Sequence, residues 1–221
     1  DSDKLIIGYW KIRGLGRKIV LVCEYAGAPY ELVQYEQGEG PEFDRSAWTD
    51  KKFTLGLDFP NLPYLIDGDF KLTESVPIIQ YICGKYKPEL LGETLQEKAT
   101  VAMVANIVSE AKATGMNCYF SDDKNKLFDA ASAKLEPLEK YLGDKKFLNG
   151  DKVTYPDLYL TEFLWMLEAL AEEDRDLAGK FPNLWRLKQN VAELPEISAF
   201  LASDRNEKLI FNNKSAKING V

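Results

Sequence analysis

The chain has 221 residues, of which 45% are hydrophobic and 29% are charged, a composition typical of one or two globular domains. Its formal net charge of -7 at pH 7 and the lack of a basic stripe predict no binding to nucleic acid, because phosphate backbones are held by lysine and arginine. The sequence has no apolar run near the roughly 20 residues that cross a bilayer and no signal-peptide pattern at its start, so we expect a cytoplasmic protein that does not bind membranes.

Cysteine and histidine counts restrict the chemistry further. Cys23, Cys83 and Cys118 are far apart and form no Cys-x-x-Cys pair, so we expect buried thiols that pack as small apolar groups rather than disulfides or a dithiol redox centre. The sequence contains no histidine, which excludes Ser-His-Asp and Cys-His mechanisms and removes the commonest zinc ligand. We therefore expect no metal and no other cofactor.

The first part of the chain alternates strand and helix patterns. A short apolar run over 4–9 predicts a buried strand, and apolar residues at helical spacing over 17–26 predict a helix that ends at Gly27. Residue types alternate over 30–35 (YELVQY) as they do in a strand, which predicts a second strand. The stretch 36–60 is too long for a simple connection and contains several glycines and prolines, which favours a functional loop.

A hairpin and a helix complete this first pattern. The segments 62–66 and 70–73 predict two strands joined at an Asp-Gly-Asp turn, and 75–86 predicts a helix with one buried face. The order strand, helix, strand, loop, hairpin, helix predicts a thioredoxin-like βαβ-ββα domain.

The step Asn61-Leu62-Pro63 lies where the long loop enters the hairpin. Proline fixes this peptide bond in the trans or the rarer cis form, and we expect the Leu62 amide and carbonyl to be unpaired and to point outward. Such an edge can hold an extended peptide as an added strand does. On these residues alone, an ordinary loop-to-strand junction is an equally good interpretation.

Beyond residue 87 the strand patterns give way to amphipathic helical runs. Two long helices are predicted over 95–120 and 124–142, the second with a bend at Pro137. Pro182 and Pro195 each predict the start of a shorter helix.

A Thr-x-x-Asp capping box, from Thr154 to Asp157, precedes a further helix over 158–170. The polar tail from Asn206 predicts no regular structure. Together the patterns predict an α+β protein with a thioredoxin-like domain over 1–87, a linker over 88–93 and an all-helical domain over 94–221.

Three stretches, GYWKIRGL over 8–15, LDFPNLPYLIDG over 57–68 and TES over 73–75, follow one another in this architecture. With the split into two domains they make nearly the whole chain resemble the cytosolic glutathione S-transferases. The opening stretch and the insertion over 43–53 are similar to the mu class, although Glu74 departs from the glutamine usual there. The resemblance implies an enzyme that conjugates glutathione, as co-substrate, to hydrophobic electrophiles.

Tyr9 matches the family's tyrosine after the first strand, whose hydroxyl donates a hydrogen bond to the glutathione sulfur. The resemblance therefore implies a catalytic role, because such a bond favours the thiolate over the thiol. Without the motif, Tyr9 would be interpreted as a core aromatic that closes a strand.

The resemblance also assigns residues to each part of glutathione. Trp48 and Lys52, with Arg45 close by, would hold the glycyl carboxylate. The backbone of Leu62 would pair with the cysteinyl unit, with Pro63 in the cis form.

At the other end, Ser75 and Glu74 would bind the γ-glutamyl group, and Glu110 would reach it from a partner subunit. The implied glutathione site consists of Tyr9, Trp10, Arg45, Trp48, Lys52, Asn61, Leu62, Pro63, Glu74, Ser75 and Glu110.

The second substrate would lie against Trp10, Ile12, Leu15, Met116 and Tyr119. Core packing is an equal alternative for Met116. The tail over 209–213, which roofs this pocket in the family, departs strongly from the mu pattern, so the sequence does not define substrate preference.

Phe59 matches an aromatic residue that inserts into a second subunit, which implies a two-fold symmetric homodimer. The alternative function is a noncatalytic ligand-binding or structural protein on the same scaffold.

Overall fold

A computed structural model describes residues 4–172 and 175–221. The side chain of Cys118, for which the sequence predicts burial, lies outside the described residues. The described strands are β1 Leu5–Trp10, β2 Tyr30–Tyr35, β3 Tyr64–Asp67 and β4 Phe70–Thr73. The described helices are α1 Gly16–Ala26, α2 Ser46–Thr49, α3 Ser75–Tyr86, α4 Leu95–Thr114, α5 Lys124–Leu142, α6 Tyr155–Leu170, α7 Leu177–Lys180, α8 Pro182–Ala192 and α9 Pro195–Leu201, with 3-10 turns at Pro88–Leu91 and Gly115–Tyr119.

The strands form one sheet in the order β2-β1-β3-β4. Strand β1 runs parallel to β2, with Ile7 opposite Leu32, and antiparallel to β3, with Ile7 opposite Leu65. The parallel pair needs a crossover, which α1 provides, whereas β3 and β4 pair as a hairpin. The predicted thioredoxin-like arrangement and the α+β class are therefore confirmed.

Both faces of the sheet are covered by apolar side chains. Leu5 and Ile7 of β1 belong to the main cluster, which also contains residues of α1, α3 and the later helices. On the other face Trp10 packs on a smaller cluster around Tyr35 and Tyr64. Because α1 contacts both α3 and α6, the loop between β1 and α1 lies where the sheet meets the helical part of the chain.

Cys23 and Cys83 lie in the main cluster as free, buried thiols. Burial raises the pKa of both thiols, to about 12 for Cys83. Such thiols stay protonated and unreactive, so their predicted role as small apolar groups is confirmed.

The bounds of β2, α3 and α5 are those that the sequence predicts. The single long helix predicted over 95–120 is wrong in its last part, because α4 ends at Thr114 and a 3-10 turn follows. A Cβ at Gly115 would lie 3.1 Å from the Phe163 ring and 3.2 Å from the Met166 methyl group. The helix therefore changes geometry where glycine, a poor helix former, lets the backbone approach α6 closely.

Helix α6 begins at the predicted capping box. The Asp157 carboxylate accepts hydrogen bonds from the backbone N–H groups of Thr154 and Leu148, both at 2.8 Å, and from the Thr154 hydroxyl at 3.1 Å. All three residues are buried, so the two amides have no access to water as an alternative acceptor. The box thus fixes both the start of α6 and the turn before it.

Other features of the helical half follow the predictions or leave them open. The tail from Asn206 is irregular, as predicted, and the 3-10 turn Pro88–Leu91 falls inside the predicted linker. The domain division at 88–93 and the bend at Pro137 stay predictions. Over 4–172 and 175–221, no helix is long and apolar enough to cross a membrane, and no group of three or more metal-ligating side chains is found.

We expect Asp157→Ala to lower the free energy of unfolding by about 2–6 kcal/mol, because it leaves two buried amides without an acceptor at about 1–3 kcal/mol each. Urea unfolding followed by tryptophan fluorescence measures the change. Asp151→Ala, at an exposed position outside the helix, is the control. A loss no larger than that of the control contradicts the role of the box.

Candidate functional site

Tyr9 lies near the end of β1, where the chain turns into α1. The backbone N–H of Leu15 donates a hydrogen bond to the Tyr9 hydroxyl oxygen at 3.0 Å. Two glycines make room for this contact, since a Cβ at Gly14 would lie 2.6 Å from that oxygen and a Cβ at Gly16 would lie 2.6 Å from Cδ1 of the ring. Gly14 also has a φ of +37°, a value that favours glycine. The loop between β1 and α1 is therefore built around Tyr9.

The Tyr9 hydroxyl keeps its proton at neutral pH. Burial raises the pKa of the phenol well above its usual range, the Leu15 N–H lowers it in part, and the nearby Tyr119 raises it again. Because the oxygen accepts from Leu15, the hydroxyl proton is directed elsewhere. Tyr9 is thus a neutral donor, and a donor of this kind binds most strongly to an anionic acceptor.

The C-terminal tail closes over the same loop. The backbone N–H groups of Arg13 and Gly14 donate to the carbonyl oxygens of Ile210 and Phe211, at 2.8 and 2.9 Å. The resemblance implies a tail that roofs this region, but the sequence does not show which groups make the contacts, because these bonds join backbone groups and leave no residue pattern.

The Arg13 side chain connects this loop to the helical part of the chain. Its Nε and Nη2 bind the two carboxylate oxygens of Glu162 on α6 at 2.8 and 2.6 Å. Its guanidinium lies 4.3 Å from the centre of the Phe211 ring. Glu162 is only 3% exposed, so its charge requires this partner. Arg13 is not among the residues predicted for the site, although it lies inside the stretch GYWKIRGL that carries the resemblance.

Helix α2 presents Trp48 between two cationic residues. The Trp48 indole is buried and stacks on Tyr64, with 6.0 Å between ring centres. Backbone bonds tie Trp48 to both neighbours, since its N–H donates to Arg45 at 3.0 Å and its carbonyl accepts from Lys52 at 2.9 Å. Among the described side chains, no carboxylate pairs with Arg45 or Lys52. The turn therefore offers two cations to an anionic ligand. Packing within the loop accounts for the buried Trp48 ring but gives no role to the charges of Arg45 and Lys52.

The bond between Leu62 and Pro63 is cis, as the resemblance implies. The expectation of an unpaired Leu62 amide is wrong, because its N–H donates to Oδ1 of Asn61 at 2.9 Å. A short amide side chain bonds readily to the backbone next to it, which sequence spacing does not reveal. A ligand that uses the Leu62 N–H must therefore displace the Asn61 side chain from it.

The N-terminus of α3 is open to a ligand. Ser75 is the first residue of the helix, and no side chain of the described residues caps it. Pro77 has no N–H, so the amides of Ser75 and Val76 are the donors left at this end. Glu74 before them is exposed and has a φ of 75°, a strained conformation for a residue with a side chain. Open donors and the positive end of the helix dipole suit a carboxylate.

Known proteins share both halves of this arrangement. Residues 6–84 match the family described as "Glutathione S-transferase, N-terminal domain", and residues 112–204 match "Glutathione S-transferase, C-terminal domain". The chain is 36% identical to a glutathione S-transferase of Tyrophagus putrescentiae, over 99% of this chain and 98% of that protein. It is 39% identical to glutathione S-transferase Mu 1 of Bos taurus, over 91% of this chain and 92% of that protein. The chain belongs to the glutathione S-transferase family.

A solved structure of the family agrees with this assignment. The crystal structure of the glutathione S-transferase Blo t 8 matches with a TM-score of 0.79 at 27% identity, and the match covers 96% of this chain and 99% of that one. The predicted resemblance to the family, and to the mu class within it, is confirmed.

In this glutathione S-transferase, two of the residues predicted for the second substrate, Trp10 and Ile12, line one pocket together with the catalytic candidate Tyr9. Leu209 of the tail lies there with them. The pocket holds about 460 Å³ of space, a volume that includes its open mouth. The tail therefore forms part of the wall of this pocket.

The other residues predicted for the second substrate lie outside this lining. Leu15 bonds to Tyr9 through its backbone, and Tyr119 lies close enough to raise the pKa of Tyr9. The Tyr119 hydroxyl oxygen accepts from the backbone N–H of Asn213 at 3.2 Å. Met116 is 45% exposed, which disagrees with the alternative that it is a core residue.

Two of the predicted residues are exposed on the surface of the chain. Glu110 is exposed on α4 and pairs with Lys134 of α5 at 3.5 Å. Phe59 is 78% exposed. Their predicted contacts with a partner subunit stay predictions.

We expect Gly16→Ala to reduce the rate of glutathione transfer at least tenfold, because displacing a catalytic group by about 1 Å loses up to about 100-fold. The rate with chlorodinitrobenzene measures the effect. Gly84→Ala is the matched helical control, since the nearest atom to its added Cβ lies 3.8 Å away. Equal rates for the two variants contradict the packing of the loop around Tyr9.

Proposed function

We propose that the protein is an enzyme that binds glutathione as its thiolate and transfers it to a hydrophobic electrophile. The observation that supports this most directly is the Leu15 N–H bonded to the oxygen of a neutral Tyr9 hydroxyl. That hydroxyl has a proton to donate, and a thiolate accepts it more strongly than a thiol does.

One hydrogen bond from Tyr9 is strong enough to lower the pKa of the glutathione thiol appreciably. A free thiol titrates near pH ~8.5, and each unit of downward shift is about 1.4 kcal/mol of preferential thiolate binding. One hydrogen bond to a charged group contributes about 1.5–3 kcal/mol, which corresponds to a shift of one to two units. The thiolate then attacks the electrophilic carbon and a carbon–sulfur bond forms. In a substitution, a leaving group departs with its bonding electrons. In an addition to a double bond, the neighbouring carbon receives the electron pair of that bond and takes a proton from solvent.

The charges along the site fit the two carboxylates of glutathione. Arg45 and Lys52 suit the glycyl carboxylate, and the indole N–H of Trp48 in the same segment is a further donor. At the opposite end, Ser75 and the open start of α3 suit the γ-glutamyl carboxylate, and the Glu74 carboxylate suits its ammonium group.

The middle of the peptide would bind at the cis junction. Once Asn61 rotates away, the Leu62 N–H is free to pair with the cysteinyl carbonyl, and Pro63 turns the strand that follows. No cofactor is needed, since glutathione is itself the co-substrate.

We further propose a homodimer in which Phe59 inserts into the partner and Glu110 reaches the partner's γ-glutamyl group. Leu95, Met103 and Ile107 on α4 are also large, exposed apolar residues, which is consistent with a covered face. Sedimentation of Phe59→Ser should show a shift toward monomer, and an unchanged mass would contradict the contact. The cytoplasmic location stays a prediction.

We expect Tyr9→Phe to raise the apparent pKa of the bound thiol by one to two units while glutathione affinity changes little. At a pH of about 6.5 the rate should fall about 10- to 50-fold, because the thiolate fraction falls tenfold per unit. The loss should shrink as the pH rises above about 8.5, where even the unassisted thiol ionises. Thiolate absorbance and the transfer rate, each measured against pH, test this.

Tyr141→Phe, on α5 and partly exposed, is the control. If Tyr9→Phe titrates and turns over like the parent, the role of Tyr9 is wrong. If the parent binds a glutathione resin but conjugates no electrophile, the noncatalytic alternative is favoured instead.

A further inference from the structure

Lys18 is a lysine whose side chain is buried between helices. It lies on α1 and is only 5% exposed, and its ammonium nitrogen lies 4.9 Å from the centre of the Tyr159 ring on α6. The hydroxyl of Tyr159 donates to the backbone carbonyl of Ala105 on α4, so Lys18 lies where α1, α4 and α6 meet. Lysine is almost never fully buried unless an opposite charge pairs with it.

No carboxylate neutralises this ammonium group. Within the part of the chain that the structure describes, Lys18 forms no ion pair and no hydrogen bond. The charged group that acts on it is a second cation, Lys112 of α4, whose own nitrogen lies 3.2 Å from the Met166 sulfur. Burial and the nearby Lys112 both disfavour a positive charge at Lys18, and they lower its pKa to about 8.

The Lys18 nitrogen is nevertheless within reach of small molecules. Among the described residues, Oδ1 of Asn213 is the only side-chain nitrogen or oxygen that is both fully shielded from solvent and without a hydrogen bond. Because the Lys18 nitrogen also makes no hydrogen bond, it is not fully shielded and touches solvent-accessible space. So little of Lys18 is exposed that only a small reagent can approach the nitrogen.

A partly neutral amine is a nucleophile toward carbon dioxide, which is small and uncharged. At a pH of about 7.5, a group with a pKa of about 8 is neutral in roughly a quarter of the molecules, whereas an ordinary lysine with a pKa near ~10.4 is neutral in about one in a thousand. Few exposed lysines are therefore ready to react at this pH.

The reaction with carbon dioxide replaces a cation by an anion. The nitrogen lone pair attacks the carbon, a carbon–nitrogen bond forms, and the electron pair of one carbon–oxygen double bond moves to its oxygen. A proton then leaves the nitrogen for solvent. The positive charge of Lys112, which opposes an ammonium group at Lys18, favours the carbamate that results.

We propose that Lys18 is a carbon dioxide acceptor that is reversibly converted to a carbamate, and that the carbamate pairs with the Lys112 ammonium group. The pair would join α1 to α4 where two like charges now lie close together. This site involves neither glutathione nor Tyr9. The proposal is therefore independent of the transferase function, and its test needs no electrophile.

The test uses the folded, full-length protein in carbon-13 bicarbonate equilibrated with carbon dioxide at a pH of about 7.5. Triethyloxonium ions trap each carbamate as its ethyl ester, and mass spectrometry of proteolytic peptides locates the label. The N-terminal amine, which also titrates near pH ~8, is distinguished by its own peptide. We expect the peptide that contains Lys18 to carry more label than any other lysine peptide, by an amount that rises with carbon dioxide and saturates.

Three variants separate the amine from its surroundings. Lys18→Arg keeps a positive charge but has no amine that forms a carbamate, so the label should be lost. Lys112→Met should lower the labelled fraction at least about threefold, because the Lys18 amine then stays protonated and the carbamate loses its opposite charge. Lys98→Met removes an exposed lysine from the same helix α4 and, as the matched control, should leave the label unchanged.

A folded parent whose Lys18 peptide carries no more label than the peptides of exposed lysines overturns the proposal. Equal labelling of the parent and Lys112→Met contradicts the pairing of the carbamate with Lys112. A bicarbonate signal that changes on binding in carbon-13 NMR, with no trapped ester, shows a bound anion and also overturns the carbamate. Because the comparison of peptides within the parent needs no variant, it decides the question even if a variant does not fold.

Discussion

The hydrogen bond from the Leu15 N–H to the Tyr9 hydroxyl is the contact on which the proposed chemistry depends. It occupies the phenol oxygen, while burial keeps the proton on it. Among the described residues this hydroxyl donates to no acceptor, so its proton is available to a ligand. The glycines at 14 and 16 serve this contact, because a side chain at either position would meet Tyr9. A chain without histidine can thus favour a thiolate with one neutral hydroxyl.

The loop that carries this bond is held from the helical half of the chain. Asp157 fixes the start of α6, and Glu162 on the same helix binds Arg13 of the loop. The tail lies over the loop through backbone bonds and through the Phe211 ring under the Arg13 guanidinium. Folding of the helical half and geometry at Tyr9 are therefore coupled through one buried ion pair, whose loss would leave the Glu162 charge without a partner.

Local signals made much of the fold predictable. The helical spacing of apolar residues predicts α3 and α5 to the residue, and the spacing of Thr154 and Asp157 predicts the capping box that the structure contains. The end of α4 was not predictable, because it depends on how closely Gly115 approaches Phe163 and Met166 on another helix. The Leu62 amide was not predictable either, since its partner is a side-chain rotamer of Asn61. The tail carries no secondary-structure pattern. The resemblance implies that it roofs the pocket, but its individual bonds to the Tyr9 loop and the unpaired Asn213 carbonyl emerge only from the three-dimensional structure.

A crystal structure of the protein with glutathione bound is the most direct test of this account. We expect the glutathione sulfur to lie roughly 3.2–3.5 Å from the Tyr9 hydroxyl oxygen, a hydrogen-bond distance for the larger sulfur atom. The Leu15 N–H should still donate to that oxygen. A sulfur held by another donor, or a Tyr9 hydroxyl that has left Leu15 and turned away from the ligand, would contradict it.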